Sequence, residues 1–328
     1  MLPTAGSFQD MFDEEDTVLA DIEHPEYGAI RLPDGRALAW AEYGSARGVP
    51  CILLPDAGSS RLAPRWLLHD SALPSSVRLL ALDRPGTGAS DPIGLGGVED
   101  PAADLAGLVG TLAVGRVAVI AIGQGADDAF AFARRYPHLV ASLSVVSARL
   151  SADPVGGRAH RGGGSSGSSR LRFRRAGRAG ATGAAPGAVG GWAAAAGADA
   201  DLREESSWTA ALPRMSPLSR AVLEHRWQEA DFRAAVAADA AVGAHQWASI
   251  GKSTGRPGWL DDAGSVTVPV RLWHGQRESP TSLSDLRDWV AERTGWTVSA
   301  VTGDSATLGC WPQILACSAA TFAATRAA

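Results

Sequence analysis

Ala121-Ile122-Gly123-Gln124-Gly125 lies between an apolar run, Val117 to Ile120, and a helical stretch, Ala126 to Tyr136. A strand that passes straight into a helix must reverse within a few residues. Such a turn needs small residues on both sides of its central position, so that the central side chain projects over the sheet. Ala121 and Gly125 are the small flanks, and the centre is Gly123, which has no side chain to project. On these residues alone, the segment also fits an ordinary strand-to-helix connection or a phosphate-binding turn.

Upstream, Leu32 to Gly44 reads as a tight turn followed by an alternating strand, and Cys51 to Leu54 as a short buried strand. Val77 to Asp83 is another strand and leads directly into Arg84-Pro85-Gly86-Thr87-Gly88-Ala89-Ser90-Asp91. Downstream come a buried strand from Val140 to Val146, a strand from Val268 to Trp273 and a helix from Leu283 to Arg293. A strand from Thr297 to Val301 and a last helix from about Pro312 to Thr325 close the chain. Strands joined by crossover helices predict an α/β fold with a doubly wound, mostly parallel sheet, whose ligand crevice lies at the carboxyl ends of the strands. Gly123, Asp56, Glu278 and the loop after Val301 all fall at such ends.

The D-R-P-G-x-G-x-S-D segment, Asp83 to Asp91, together with the strand-turn-helix at Gly123, resembles the α/β-hydrolase fold family, in particular its lid-bearing bacterial members. The resemblance runs from about Leu32 to Tyr136 and resumes at Val268-Pro-Val-Arg-Leu-Trp-His-Gly275. It implies a nucleophile elbow at Gly123, an acid loop at His274 to Glu278, a base after the strand ending at Val301, and oxyanion donors on the backbone of Ala57 and Gln124. Acyl transfer on this fold uses a nucleophile, a histidine base, an acid that orients it, and N–H groups aimed at the developing oxyanion.

This chain departs from that pattern at most positions. The nucleophile position is Gly123. Where the family has His-Gly after the strand matching Cys51 to Leu54, this chain has Pro55-Asp56, and a carboxylate there repels an oxyanion. Glu278 stands in for the acid. The loop expected to carry the base reads Gly303-Asp-Ser-Ala-Thr-Leu-Gly-Cys-Trp-Pro312, and no histidine occurs after His274. Alignment through Trp311-Pro312 puts the base position at Ser305 or Ala306. Asp127 and Asp128 fit the first turn of the following helix, where carboxylates favour the helix dipole. In the resembled family, a histidine at the position of His274 is often structural.

At 328 residues the chain accommodates one α/β core with an inserted lid. The expected divisions are an acidic N-terminal extension at 1–30, the core at 31–147, a lid insertion at 148–265 and the rest of the core at 266–328. Within the insertion, 156–197 is almost all Gly, Ala, Arg and Ser, with seven arginines and no acidic residue. Such a stretch buries too little apolar area to offset its ordering entropy and is expected to be disordered. A basic arm for an anionic partner and a locally shifted reading frame in GC-rich coding DNA both account for its composition. Farther on, Leu218, Val222, Phe232 and Val236 recur at helical spacing, as expected of lid helices packed on the core.

The net charge of −5 argues against a nucleic-acid or anionic-membrane surface. Cys51, Cys310 and Cys317 lack metal-ligand spacing and read as buried reduced thiols, and no metal or cofactor is expected. With no signal-peptide pattern and no membrane-spanning stretch, the expected location is cytoplasmic.

Two functional classes follow. One is a pseudoenzyme of hydrolase ancestry with a degenerate triad, binding a small apolar ligand under the lid, acting beside a partner, or encoded by a decaying gene. The other is an active hydrolase of small esters, lactones or similar apolar substrates working through a non-standard site.

Overall fold

The computed structural model describes residues 25–56, 59–69, 73–93, 100–148, 234–239, 260, 263–277, 281–302, 306 and 310–327. Eight strands form one sheet: β1 (Glu26–Arg31), β2 (Ala37–Gly44), β3 (Val49–Leu54), β4 (Val77–Leu82), β5 (Val117–Ile122), β6 (Val140–Val146), β7 (Val270–Gly275) and β8 (Trp296–Val301). Their spatial order is β1-β2-β4-β3-β5-β6-β7-β8. β2 runs antiparallel to β1 and β4, and every other pairing is parallel. The helices flanking the sheet among the described residues include α1 (Pro64–Leu67), α2 (Pro101–Thr111), α3 (Gly125–Arg135), α4 (Leu283–Ala291) and α5 (Trp311–Ala327).

Both faces of the sheet are covered, which is why its central strands are apolar at nearly every position. In β5, Val117, Val119 and Ala121 enter one core cluster, whereas Ala118, Ile120 and Ile122 enter the other. The first cluster is built with α2, α3 and α4: Phe130 of α3 stacks on Trp296 at 5.4 Å between ring centroids, and Trp289 of α4 meets Trp296 edge-on. The second is built largely with α1 and α5, through Trp66, Leu67, Trp311, Ile314 and Leu315. Helix α2 starts cleanly because Asp100 caps it, accepting from the Ala103 amide at 3.1 Å, and Pro101 needs no amide partner there.

Of the boundaries that differ from the sequence reading, two have a plain cause. The sheet begins at Glu26, inside the stretch read as an acidic extension, 1–30. Of β1 only Ile30 is buried, so its alternation is too weak to read; pairing with β2 makes it a strand. β5 continues through Ala121 and Ile122 to the edge of the turn, held in register by β6.

Residues 148–265 enter the chain between β6 and β7, the place of a lid on this architecture. Within them, 156–197, Leu218, Val222 and Phe232 lie outside the described residues. Residues 234–239 are helical and bury Ala235 and Val236 in the second cluster. No helix among the described residues is long and apolar enough to cross a membrane.

Candidate functional site

Gly123 sits in the turn between central strand β5 and α3, with φ at 50°. Its amide bonds to the Val146 carbonyl of β6 at 3.0 Å, which pins the turn to the neighbouring strand. The small flank on the helix side has a concrete cause. A Cβ on Gly125 would lie 2.5 Å from the Leu54 carbonyl oxygen and 2.9 Å from that of Pro55. The turn passes so close to the end of β3 that only glycine fits.

Above Gly123 lies the Asp56 carboxylate. A Cβ built on Gly123 would meet Asp56 Cγ and Oδ1 at 2.5 Å and Oδ2 at 2.6 Å. The Gln124 amide donates to Asp56 Oδ1 at 2.8 Å. Asp56 is 7% exposed, so this contact is shielded from solvent. The space above the turn and the Gln124 N–H are therefore both taken by one internal carboxylate. Oxyanion stabilisation requires backbone donors aimed at an open position, and the Gln124 N–H, which the resemblance implies as such a donor, points at a carboxylate.

The Asp83 to Asp91 segment is structural in its contacts. Asp83 is fully buried and accepts from the amides of Arg61 and Ala89, each at 2.9 Å, while pairing with the Arg61 guanidinium. Ser90 Oγ accepts from the Ala39 amide and donates to the Asp83 carbonyl, and Asp91 accepts from the Ala37 amide. Together these bonds fasten the end of β4 across the start of β2. Arg84 reaches the other way and pairs with Asp128 of α3 at 3.0 Å. Asp128 thus supports the elbow helix through a partly buried ion pair, a role beyond the dipole effect that its position suggested.

His274 is buried at the end of β7, and its Nε2–H donates to the Thr281 carbonyl at 2.9 Å, closing the base of the acid loop. Ala306 is fully buried in the cluster that contains Ile122, Trp273, Ala235 and Val236. Ala57, Glu278 and Gly303 to Ser305 lie outside the described residues. The structure therefore brings Pro55, Asp56, Gly123 and Gln124 together and places Ala306 in the second core cluster. Among the described residues no cluster of His, Cys, Asp or Glu is arranged to hold a metal ion.

No protein-family model matches the chain. It is 27% identical over 125 residues to the dihydrolipoyllysine-residue acetyltransferase component of an acetoin cleaving system from Pseudomonas putida, a match covering 38% of this chain and 33% of that protein. The chain thus spans about a third of the length of that curated relative. Among solved structures it is similar to a thermophilic esterase from Thermogutta terrifontis, with a TM-score of 0.55, 19% identity and coverage of 92% of this chain and 97% of that one. An alpha/beta hydrolase fold protein from Nakamurella multipartita matches with a TM-score of 0.53, 16% identity and coverage of 90% and 99%. Naproxen esterase from Bacillus subtilis matches with a TM-score of 0.53, 14% identity and coverage of 92% and 91%. The chain has the α/β-hydrolase fold.

On this α/β-hydrolase fold, one buried polar residue has no counterpart in the sequence reading. Asp239, in the insertion, is 0% exposed. Its carboxyl oxygens accept from Ser59 Oγ at 2.6 Å, the Ser60 amide at 2.8 Å, Ser60 Oγ at 2.7 Å and Trp66 Nε1 at 2.9 Å. Burial pushes its carboxyl above the usual carboxylate range, and the bonds from Ser59, Ser60 and Trp66 counter that only in part. Its partners are about 170 to 180 residues away in sequence, and no local pattern announces such a contact.

Proposed function

We propose that this chain is a cytoplasmic pseudoenzyme of α/β-hydrolase ancestry, with residues 148–265 as its lid and a crevice that binds a small apolar ligand without turning over esters by a Ser-His-acid mechanism. The observation that carries this reading is the Asp56 carboxylate resting on Gly123 and taking the Gln124 N–H. An acyl substrate entering the crevice would meet a negative group where its oxyanion must form, and no side chain at residue 123 to attack it.

Two further observations support it. His274 directs Nε2 into the Thr281 carbonyl, and no histidine follows it in the sequence, so the triad's base position is empty of imidazole. Losing the nucleophile or base of such a triad costs on the order of 10⁶ in turnover. What remains, about 10³ to 10⁴ over water, depends on the oxyanion donors, one of which Asp56 occupies. The cytoplasmic placement is supported by Cys51 and Cys317, neither of which forms a disulfide.

The second reading, a working hydrolase of small esters or lactones, has one observation in its favour: Asp56 brings a carboxylate to the place from which a nucleophile would act. One experiment separates the two. Purified protein is incubated with short-chain p-nitrophenyl esters and, separately, with a fluorophosphonate probe. The pseudoenzyme reading expects ester release at the level of an unrelated protein and no labelling. Release above that level, abolished by Asp56→Asn, transfers the conclusion to the second reading.

A further inference from the structure

The loop after β3 is held from several directions. Asp83 grips Arg61, Tyr43 donates its hydroxyl to the Arg61 carbonyl at 2.9 Å, and Asp239 grips Ser59, Ser60 and Trp66. These anchors differ in origin. Tyr43 belongs to core strand β2 and Asp83 directly follows β4, whereas Asp239 comes from the insertion. They also differ in where they act. Arg61 lies beyond Ser60, but Ser59 is tied to the crevice residue itself, its amide donating to the Asp56 carbonyl at 3.2 Å.

We propose that Asp239 is a positioning residue for the crevice: its carboxyl group, carried on the insertion, holds Ser59 and Ser60 and so fixes the turn that lays Asp56 on Gly123 and Gln124. The proposal rests on the reading of Asp56 as the group that closes the crevice. It makes the insertion more than a cover, because the state of the elbow donor then depends on whether the segment bearing Asp239 is docked.

The chemistry favours a specific link over general packing. In its ionised form the carboxylate offers acceptors only, and all four of its partners here are donors, from three different residues of one short stretch. Asparagine has the same shape but replaces one oxygen with an NH₂ group, which would face the Ser59 hydroxyl and the indole N–H of Trp66 or the Ser60 donors. One oxygen's share of the grip is lost while the volume is kept. A buried group left facing like partners is costly, so the stretch must rearrange.

The test follows the Gln124 amide by NMR, through its chemical shift and hydrogen-exchange rate, in the full-length protein and in Asp56→Ala, Asp239→Asn and Ser59→Ala. Asp56→Ala removes the acceptor and should speed Gln124 exchange about tenfold, as expected for loss of one shielded hydrogen bond. The proposal expects Asp239→Asn and Ser59→Ala to move Gln124 in the same direction, while the Val119 amide in β5 keeps its wild-type rate. A wild-type Gln124 amide in either folded variant, with Asp56→Ala accelerating it, overturns the positioning role and leaves the reading of Asp56 intact. An unchanged Gln124 amide in Asp56→Ala overturns that reading itself, and this proposal with it. If Asp239→Asn does not fold, Ser59→Ala decides alone, since it removes only one hydroxyl.

Discussion

Asp56 and Gly123 compete for one volume: a Cβ on residue 123 would lie 2.5 Å from the Asp56 carboxyl carbon. The absence of a side chain at the elbow and the presence of a carboxylate above it are therefore one structural fact. Gly123→Ala should be destabilising for two reasons that can be separated. The left-handed backbone, φ 50°, costs a non-glycine residue about 1–2 kcal/mol. Displacing Asp56 from the Gln124 amide adds about 1 kcal/mol. In an Asp56→Gly background only the first cost remains. Urea unfolding of the four proteins in this cycle should give a coupling of about 1 kcal/mol, and strict additivity would refute the shared volume.

Gly125→Ala sets two effects against each other. Alanine favours a helix over glycine by about 1 kcal/mol, and residue 125 is the first of α3. The new methyl, however, would press on backbone carbonyls at 2.5 and 2.9 Å, which cannot swing aside as a side chain can. Overpacking of this kind costs about 1–3 kcal/mol, so net destabilisation is expected. An alanine variant with a higher urea midpoint than wild type would show that α3 can retreat from β3.

The local frame of the elbow was legible because its causes are local. An all-apolar strand, small flanks and a helix with acids at its start and arginines at its end are each written in consecutive residues. The Asp83 to Asp91 segment was legible for a similar reason, since its carboxylate, hydroxyl and arginine serve neighbouring loops and strands. β1 was not, because one buried residue, Ile30, makes no period. Nor could the sequence specify which way Asp56 turns. A repulsive carboxylate near the oxyanion donors was readable from Pro55-Asp56, but its seat on Gln124 depends on how the whole loop is held. Asp239 was the least legible of all, because a single aspartate in an alanine-rich helical stretch acquires meaning only when distant serines arrive beside it.

The stability of the protein should carry a pH signature from Asp239. Burial raises its folded pKa above the ordinary value of 3.8, so the native state holds this proton more tightly than the unfolded chain does. The associated stability is fully present below that ordinary value and is lost as pH rises through the raised folded pKa. The unfolding free energy of wild type minus that of Asp239→Asn, measured by urea titration at several pH values, should therefore shrink as pH rises from about 4. A difference that grows with pH would mean that the four donors outweigh burial and depress the pKa.

Thiol reactivity should follow burial. Cys51 lies inside β3 with no exposure, and burial pushes its thiol up to about 12, so its thiolate is scarce at neutral pH. Cys317 on α5 is half-buried. Iodoacetamide treatment of the native protein, read by peptide mass spectrometry, should modify Cys317 well before Cys51. Equal rates without denaturant would show that the β3 core opens readily.

Installing a serine and a histidine at the positions that the resemblance implies for nucleophile and base tests whether the scaffold can hold that geometry. Gly123→Ser supplies an attacking oxygen, Ala306→His a base, and Pro55→His with Asp56→Gly reopens the oxyanion loop, opposite Glu278 as the resemblance places it. The contact between Asp56 and Gly123 explains why the changes must be made together: Gly123→Ser alone drives its Cβ into the Asp56 carboxylate, and a serine without a base is a weak nucleophile. Ala306 adds a second constraint, because it is fully buried in the second core cluster. An imidazole there must turn toward the crevice or overpack the core, at a cost of about 1–3 kcal/mol. Weak release of p-nitrophenol is therefore expected from the quadruple variant only, with lowered thermal stability. Activity in Gly123→Ser alone would mean that a base already serves the elbow, with His274 the first to be replaced. Silence in a well-folded quadruple variant would count against Ala306 as the base position.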